Sequence, residues 1–242
     1  MKKKLPVGTS DFKKLIKNNF YYIDKSLFIK DILDIGSEVI LIPRPRRFGK
    51  TLNISMLKYY FEKSNEDNSE LFKELLIWKE GTEYTDKQGK YPVIFLTFKD
   101  ANGDSWKGCY GYIKNIISEE YIRHQYLLES DAINEFEKNV YREIIAGTAY
   151  EEHYGDSLKK LSKYLSKYYN EKVIILIDEY DVPIQQGYLN GYYEKIIGFM
   201  RSLLSGGLKD NSFLEKGVLT GILRVAKESI FSVLNKDRKS VV

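Results

Sequence analysis

The residues best suited to chemistry lie in two short segments of this 242-residue chain. One is a basic loop that ends in Gly49, Lys50 and Thr51, and the other is a hydrophobic run that ends in Asp178 and Glu179. A glycine followed by a lysine and a hydroxyl can bind phosphates and a magnesium ion, and two carboxylates can hold the ion and activate water. Together the two segments predict a site for the phosphates of a nucleotide.

The basic loop has the surroundings in which a Gly-Lys-Thr tripeptide is informative. It follows an apolar run, Val39–Ile42, and it precedes a helix-like segment. In this context Gly49 lets the backbone approach a phosphate, Lys50 reaches the β- and γ-phosphates, and the Thr51 hydroxyl ligates Mg²⁺. The alternative is a chance tripeptide, but the flanking strand and helix favour phosphate binding.

One position departs from the general phosphate-loop pattern GxxxxGK[ST], because Arg44 stands where that pattern has its first glycine. The substitution restricts the loop backbone and leaves the rate of hydrolysis open. Arg46 and Arg47 add further positive charge, which is typical of a solvated turn, of a loop that binds a triphosphate, or of a nucleic-acid contact. The residues predicted to contact the nucleotide here are Arg46, Arg47, Phe48, Gly49, Lys50, Thr51 and Leu52.

The second segment is a buried-type strand that ends in two carboxylates. Ligands of open α/β sheets bind beyond the carboxyl ends of the strands, which would bring Asp178 and Glu179 to the basic loop. Asp178 is then predicted to hold Mg²⁺ together with Thr51, and Glu179 to polarise the attacking water, with Lys50 as the third catalytic residue. A glutamate in that position favours hydrolysis over transfer to a small acceptor. An acidic strand-to-loop boundary without catalytic use is the alternative.

A third segment follows the last apolar strand and contains Thr220 and Arg224. A polar group at the tip of a strand between the other two could sense the γ-phosphate, and Thr220 is the candidate. Arg224 is equally well interpreted as a γ-phosphate contact or as a surface arginine at a strand-to-helix turn.

Four apolar runs separated by helical stretches must position these residues. They are continuously apolar, which is typical of strands buried on both faces of a parallel, doubly wound α/β sheet. Residues 106–170 are long for one crossover and are predicted to form a helical insertion, in which Leu158, Leu161, Leu165 and Tyr168 share one face of a helix. The four predicted strands are Val39–Ile42, Pro92–Phe98, Lys172–Ile177 and Lys216–Ile222.

Composition excludes several other function classes. A single cysteine, Cys109, rules out a disulfide framework within the chain, and two histidines without metal-type spacing give no support to a zinc site or a Ser-His-Asp hydrolase. The net charge of +4 is too small to indicate a nucleic-acid-coating surface. No apolar run approaches the roughly 20 residues of a membrane span, and the N-terminus lacks a secretory signal, so a cytoplasmic protein is expected.

Four ordered motifs resemble the bacterial AAA-ATPase-like family of P-loop proteins: YYIDKSLFI, RPRRFGKT, IILIDEYDVP and LTGILRVAKESIF. In that family RPRRFGKT is the usual form of the loop, so the resemblance makes Arg44 a family trait. It implies ATP contact at Gly49, Lys50 and Thr51, magnesium and water chemistry at the acidic strand end, and a sensor at Thr220 or Arg224. It further implies an additional-strand (ASCE/AAA-like) ATPase fold with sheet order 5-1-4-3-2, often followed by a restriction-endonuclease-like nuclease domain.

The resemblance runs from about Leu5 to Asn235, so residues 1–236 are predicted to form one domain. Only four strands are found where the implied fold has five, and we expect the fifth to be missing from the edge beside Val39–Ile42. Residues 237–242 are expected to be a non-native tail on a C-terminally truncated domain.

The sequence leaves three functions in competition. The leading one is Mg²⁺-dependent ATP hydrolysis that drives a conformational switch. The second is a nucleotide-sensing or interaction module with negligible hydrolysis, and the third is a nucleic-acid-binding domain that uses the basic loop.

Overall fold

The computed structural model describes residues 3–222, so Arg224, the proposed tail and the end of the predicted domain lie outside the described part. Within it a parallel four-stranded sheet has the order β1-β4-β3-β2. The four predicted strands are confirmed and the order matches the 1-4-3-2 part of the implied sheet, with β1 at the edge of the described strands. Their bounds are β1 Val39–Pro43, β2 Val93–Thr97, β3 Val173–Asp178 and β4 Leu214–Gly221.

Helices cover both faces of this sheet, as expected for a doubly wound α/β fold. One face carries the first three helices, and the other face carries most of the helices that follow β2. Among residues 3–222, no helix has both the length and the apolar character needed to cross a membrane. The helices are α1 Phe12–Lys17, α2 Leu27–Asp34, α3 Lys50–Phe61, α4 Thr82–Thr85, α5 Trp106–Arg123, α6 Glu135–Ile145, α7 Glu151–Gly155, α8 Ser157–Tyr169, α9 Val182–Leu189 and α10 Tyr193–Leu208.

The central strand β3 shows why the sequence folds into two layers. All six of its residues are buried. Ile175 and Ile177 pack into the core beneath α5, α8 and α10, whereas Ile174 and Leu176 pack into the core beneath α1, α2 and α3. Alternate side chains of a strand point to opposite faces, so a continuously apolar strand requires a helical layer on each side.

Between residues 106 and 170 the chain forms α5, α6, α7 and α8, in agreement with the predicted helical segment. In α8 the predicted residues Leu158, Leu161 and Leu165 are buried, but Tyr168 is 46% exposed. At about 100° per residue Tyr168 lies roughly 80° from Leu158 around the helix axis, at the margin of the buried stripe. Tyr168 therefore lies at the exposed margin of the helix face that it was predicted to share.

Candidate nucleotide-phosphate site

The carboxyl ends of β1, β3 and β4 meet at one edge of the sheet, where the three predicted segments come together. The loop of residues 44–49 leaves β1, the acidic pair ends β3, and Thr220 lies near the end of β4. The Arg44 N–H donates to the Gly221 carbonyl at 3.0 Å, which fastens the loop to β4. Residues more than 170 positions apart in the sequence are thus held in one site.

The loop changes direction through two left-handed residues. Gly49 has φ 74° and caps the N-terminus of α3, and Arg47 has φ 68°. A glycine adopts this left-handed conformation at little steric cost, which explains why Gly49 occupies the position immediately before α3. The first N–H groups of α3 have no acceptor within the helix and point out of its N-terminus, as an anion site requires.

Lys50 is folded back onto its own loop. Its ammonium donates to the carbonyl oxygens of Arg44 at 2.9 Å and Pro45 at 3.0 Å, and the residue is only 7% exposed. The cation is therefore bonded to the backbone of the loop itself. Contact between Lys50 and a phosphate stays a prediction.

The other predicted loop residues divide by exposure. Arg46, Arg47 and Phe48 are exposed, Phe48 at 60%, so they are available to a ligand at the surface of the loop. Thr51 is half-buried in the first turn of α3. Leu52 packs its side chain against the core beneath α1, α2 and α3.

Asp178 is fully buried and only half satisfied. Its Oδ1 accepts a hydrogen bond from the Thr220 hydroxyl, whereas its Oδ2 has no hydrogen-bond partner among the described residues. Burying a carboxylate oxygen without a hydrogen-bond partner costs free energy unless a cation pairs with it. Residues 3–222 hold no cluster of three or more His, Cys, Asp or Glu that could bind a metal. A phosphate-bound Mg²⁺ needs few protein ligands, so the chemistry of a single buried carboxylate oxygen such as Asp178 Oδ2 fits that ion.

Glu179 lies in an unusual backbone conformation for its type, with φ 53°. Its N–H donates to Thr220 Oγ1 at 3.4 Å. Burial raises the pKa of the Glu179 carboxyl, Asp178 raises it further, and Lys50 lowers it. Lys50 and both acidic residues are thus within electrostatic reach of one another.

Asp181 was not predicted as a site residue and is fully buried beside the acidic pair. Its Oδ2 accepts from the Ile222 N–H at 2.9 Å and from Gln185 Nε2 at 2.8 Å. A Cβ atom on Gly221 would lie 2.7 Å from Asp181 Oδ1, which explains the glycine there. The only sequence signal was a third carboxylate soon after the pair, and such acids are common in turns.

A separate group of charged residues lies near the amino end of β2 and consists of Glu62, Glu120 and Arg123. The guanidinium of Arg123 binds Glu62, Glu120 at 2.5 Å and the Val93 carbonyl at 2.6 Å. Beside it is a surface cleft of ≈ 580 Å³ whose lining includes Arg123, His124, Tyr126, Tyr168 and Tyr169.

The fold and a family match together indicate the class of protein to which the chain belongs. The parallel β1-β4-β3-β2 sheet flanked by helices is compatible with a P-loop NTPase fold. A family model described as "Predicted AAA-ATPase" matches residues 6–231, so the chain belongs to the AAA-ATPase-like family.

A curated relative from Azotobacter chroococcum mcd 1, an uncharacterized protein in the vnfD 5' region, is 26% identical over 238 residues. The match covers 97% of this chain and 40% of the relative, so the chain spans less than half the length of that protein. No solved structure matches the chain significantly.

Proposed function

We propose that the chain binds ATP with Mg²⁺ and hydrolyses it to ADP and phosphate, and that the nucleotide state switches the conformation of the loops around the site. The observation that carries this proposal is the buried Oδ2 of Asp178, which has no hydrogen-bond partner within residues 3–222 and lies at the same edge of the sheet as Lys50. Membership of the AAA-ATPase-like family supports nucleotide binding. The proposed setting is the cytoplasm, and the proposed partner is the nuclease domain that the resemblance implies.

Each residue has a role in this proposal. Lys50 and the first N–H groups of α3 bind the phosphates, with Arg46, Arg47 and Phe48 at the outer surface of the loop. Thr51 and Asp178 would hold Mg²⁺, which neutralises charge that develops on the phosphate oxygens. Glu179 accepts a proton from the attacking water, and its raised pKa keeps its basicity closer to neutral pH.

Lys50→Ala tests the phosphate site. Loss of the ammonium is expected to weaken Mg-ATP binding by at least about 100-fold, because charge-assisted contacts to two phosphates disappear. Lys90→Ala, which removes an exposed lysine just before β2, is the matched control and should bind like the wild type. Calorimetry that finds unchanged affinity in a folded Lys50→Ala protein would exclude this loop as the site.

Glu179→Gln tests hydrolysis separately. The amide keeps the shape and loses the base, so ATP should still bind while phosphate release falls by about 10²–10⁴-fold. Glu171→Gln, an exposed change before β3, is the control. Equal measurable rates in wild type and Glu179→Gln would exclude Glu179 as the base. Negligible phosphate release from a wild type that binds ATP would favour the second candidate, a nucleotide-sensing module. That candidate is supported by Lys50, whose ammonium is already bonded to its own loop.

A further inference from the structure

Thr220 is the residue on which the two acidic side chains depend. It lies in β4, directly between β1 and β3, and it is 1% exposed. Three successive residues bind it: Asp178 accepts from its hydroxyl, the Glu179 N–H donates to its Oγ1 at 3.4 Å, and the Tyr180 N–H donates to its carbonyl at 3.1 Å. Thr220 therefore contacts the whole turn that follows β3.

A threonine hydroxyl has one hydrogen to donate. That hydrogen is directed at Asp178 Oδ1, so it is not available to a γ-phosphate oxygen while the Asp178 bond exists. The burial of Thr220 also argues against a contact with the γ-phosphate, because that group would have to reach a side chain that is almost completely covered. A direct contact with the nucleotide would require Thr220 to release the carboxylate.

We propose that Thr220 is a positioning residue for the magnesium site and not a direct sensor of the γ-phosphate. By binding Oδ1 it fixes the Asp178 carboxylate so that Oδ2 faces the cation. By accepting from the Glu179 N–H it also holds the left-handed turn at Glu179, a conformation unfavourable for a non-glycine residue. This inference rests on the proposed function, since it assigns Asp178 to Mg²⁺.

The two roles differ in their dependence on nucleotide. A γ-phosphate sensor distinguishes ATP from ADP, because only ATP carries that group. A residue that acts through Asp178 and Mg²⁺ affects Mg-ATP and Mg-ADP alike, and it leaves the binding of ADP without Mg²⁺ unchanged. Nucleotide binding at a series of Mg²⁺ concentrations therefore separates the two roles without any measurement of activity.

The test uses calorimetry with ADP and ATP on the full chain and on Thr220→Val, which replaces the hydroxyl by a methyl group of similar size. We expect the Mg²⁺ concentration for half-maximal binding to rise about tenfold for both nucleotides, from loss of one hydrogen bond to a charged group. Thr220→Ser keeps the hydroxyl and should restore the wild-type requirement. If Thr220→Val does not fold, Thr220→Ala supplies the same comparison without the added methyl group.

The rise in the Mg²⁺ requirement caused by Thr220→Val should be absent when Asp178 is already substituted. In a double-mutant cycle, Thr220→Val added to Asp178→Asn is expected to leave the Mg²⁺ requirement where Asp178→Asn puts it. A loss of ATP affinity relative to ADP, with an unchanged Mg²⁺ requirement, would overturn the inference and make Thr220 a sensor. If the wild type shows no Mg²⁺-dependent binding at all, the proposed function itself fails, and the inference fails with it.

Discussion

Two buried carboxylates at different places along the sheet have opposite surroundings. Glu120 accepts from Arg123 and from the Phe95 N–H at 2.8 Å, and His124 lies 3.4 Å from it. Asp178 has one donor, Thr220, and an oxygen without a partner among the described residues. The first arrangement is complete within residues 3–222, whereas in the second an oxygen remains that we propose binds a cation. Complete pairing indicates a structural role, and incomplete pairing of a buried charge indicates a ligand site.

The electrostatics of Glu120 support this difference. Burial alone would raise its pKa, but Arg123 and His124 outweigh burial and lower the pKa to about 2. The ionised form is therefore the one that stabilises the fold. At the candidate phosphate site the pKa of Glu179 is raised instead, because burial and Asp178 both oppose its ionisation.

The largest effect is expected from Arg123→Met. Both Glu62 and Glu120 would lose their cation while Glu120 stays buried, so the free energy of unfolding should fall by about 3–5 kcal/mol. Lys13→Met, which breaks an ion pair with the largely exposed Glu66, is the control and should cost less than about 1 kcal/mol. Denaturant unfolding measures the free energy of unfolding of both variants. Equal small losses would contradict the structural role of the Glu120 carboxylate that distinguishes it from Asp178.

Glu120→Gln should destabilise the protein by about 3 kcal/mol at pH 7. The pKa of Glu120 is lowered from 4.5 to about 2, so its contribution is present above pH 4.5 and disappears as the pH falls towards 2. The unfolding free energies of wild type and variant should therefore converge between those pH values. A difference that stays constant in acid would contradict an ionic role for Glu120.

Replacing the carboxylate of Asp178 by an amide should stabilise the protein, whereas the same replacement at Glu120 should destabilise it. In EDTA, Asp178→Asn is expected to raise the free energy of unfolding by about 1 kcal/mol, because it removes an incompletely paired buried charge while an amide oxygen still accepts from Thr220. Denaturant unfolding with and without Mg-ADP measures this. A loss of stability like that of Glu120→Gln would show that Asp178 is structural.

The smallest effect is expected from Glu179→Gln without nucleotide. Because the folded-state pKa is raised, ionisation of Glu179 lowers stability progressively as the pH rises past 4.5. The amide avoids this loss, so the melting temperature should rise by no more than about 3 °C at pH 7 and should match the wild type near pH 4. A variant that melts below the wild type at pH 7 would indicate that the carboxylate makes a stabilising contact.

Local sequence pattern predicted the strands, because each strand is an apolar run. It also made Gly49, Lys50 and Thr51 recognisable as a candidate phosphate loop, because the three residues are consecutive, and their binding of phosphate stays a prediction. The order of the strands required the family resemblance, since no local pattern specifies which strands are neighbours. The contacts of Thr220 follow from that order, as β4 lies between the loop and Asp178.

Other features could not be predicted because they depend on packing. Arg123 joins Glu62, which is 61 residues away in the sequence, and nothing in either segment indicates the other. The bond from the Ile222 N–H to Asp181 likewise joins the ends of two strands that are distant in sequence. The back-folded Lys50 could not be foreseen, because the motif describes the lysine with its ligand.

The bonds from Lys50 to the carbonyls of Arg44 and Pro45 have a consequence for the thermodynamics of binding. An arriving phosphate would replace acceptors that the ammonium already has, so part of the heat of the new charged contacts would be offset by the bonds that are lost. The same bonds hold the loop in shape without a ligand, which would reduce the conformational entropy lost on binding. Binding at this loop should accordingly release less heat than the strength of the charged contacts alone would give.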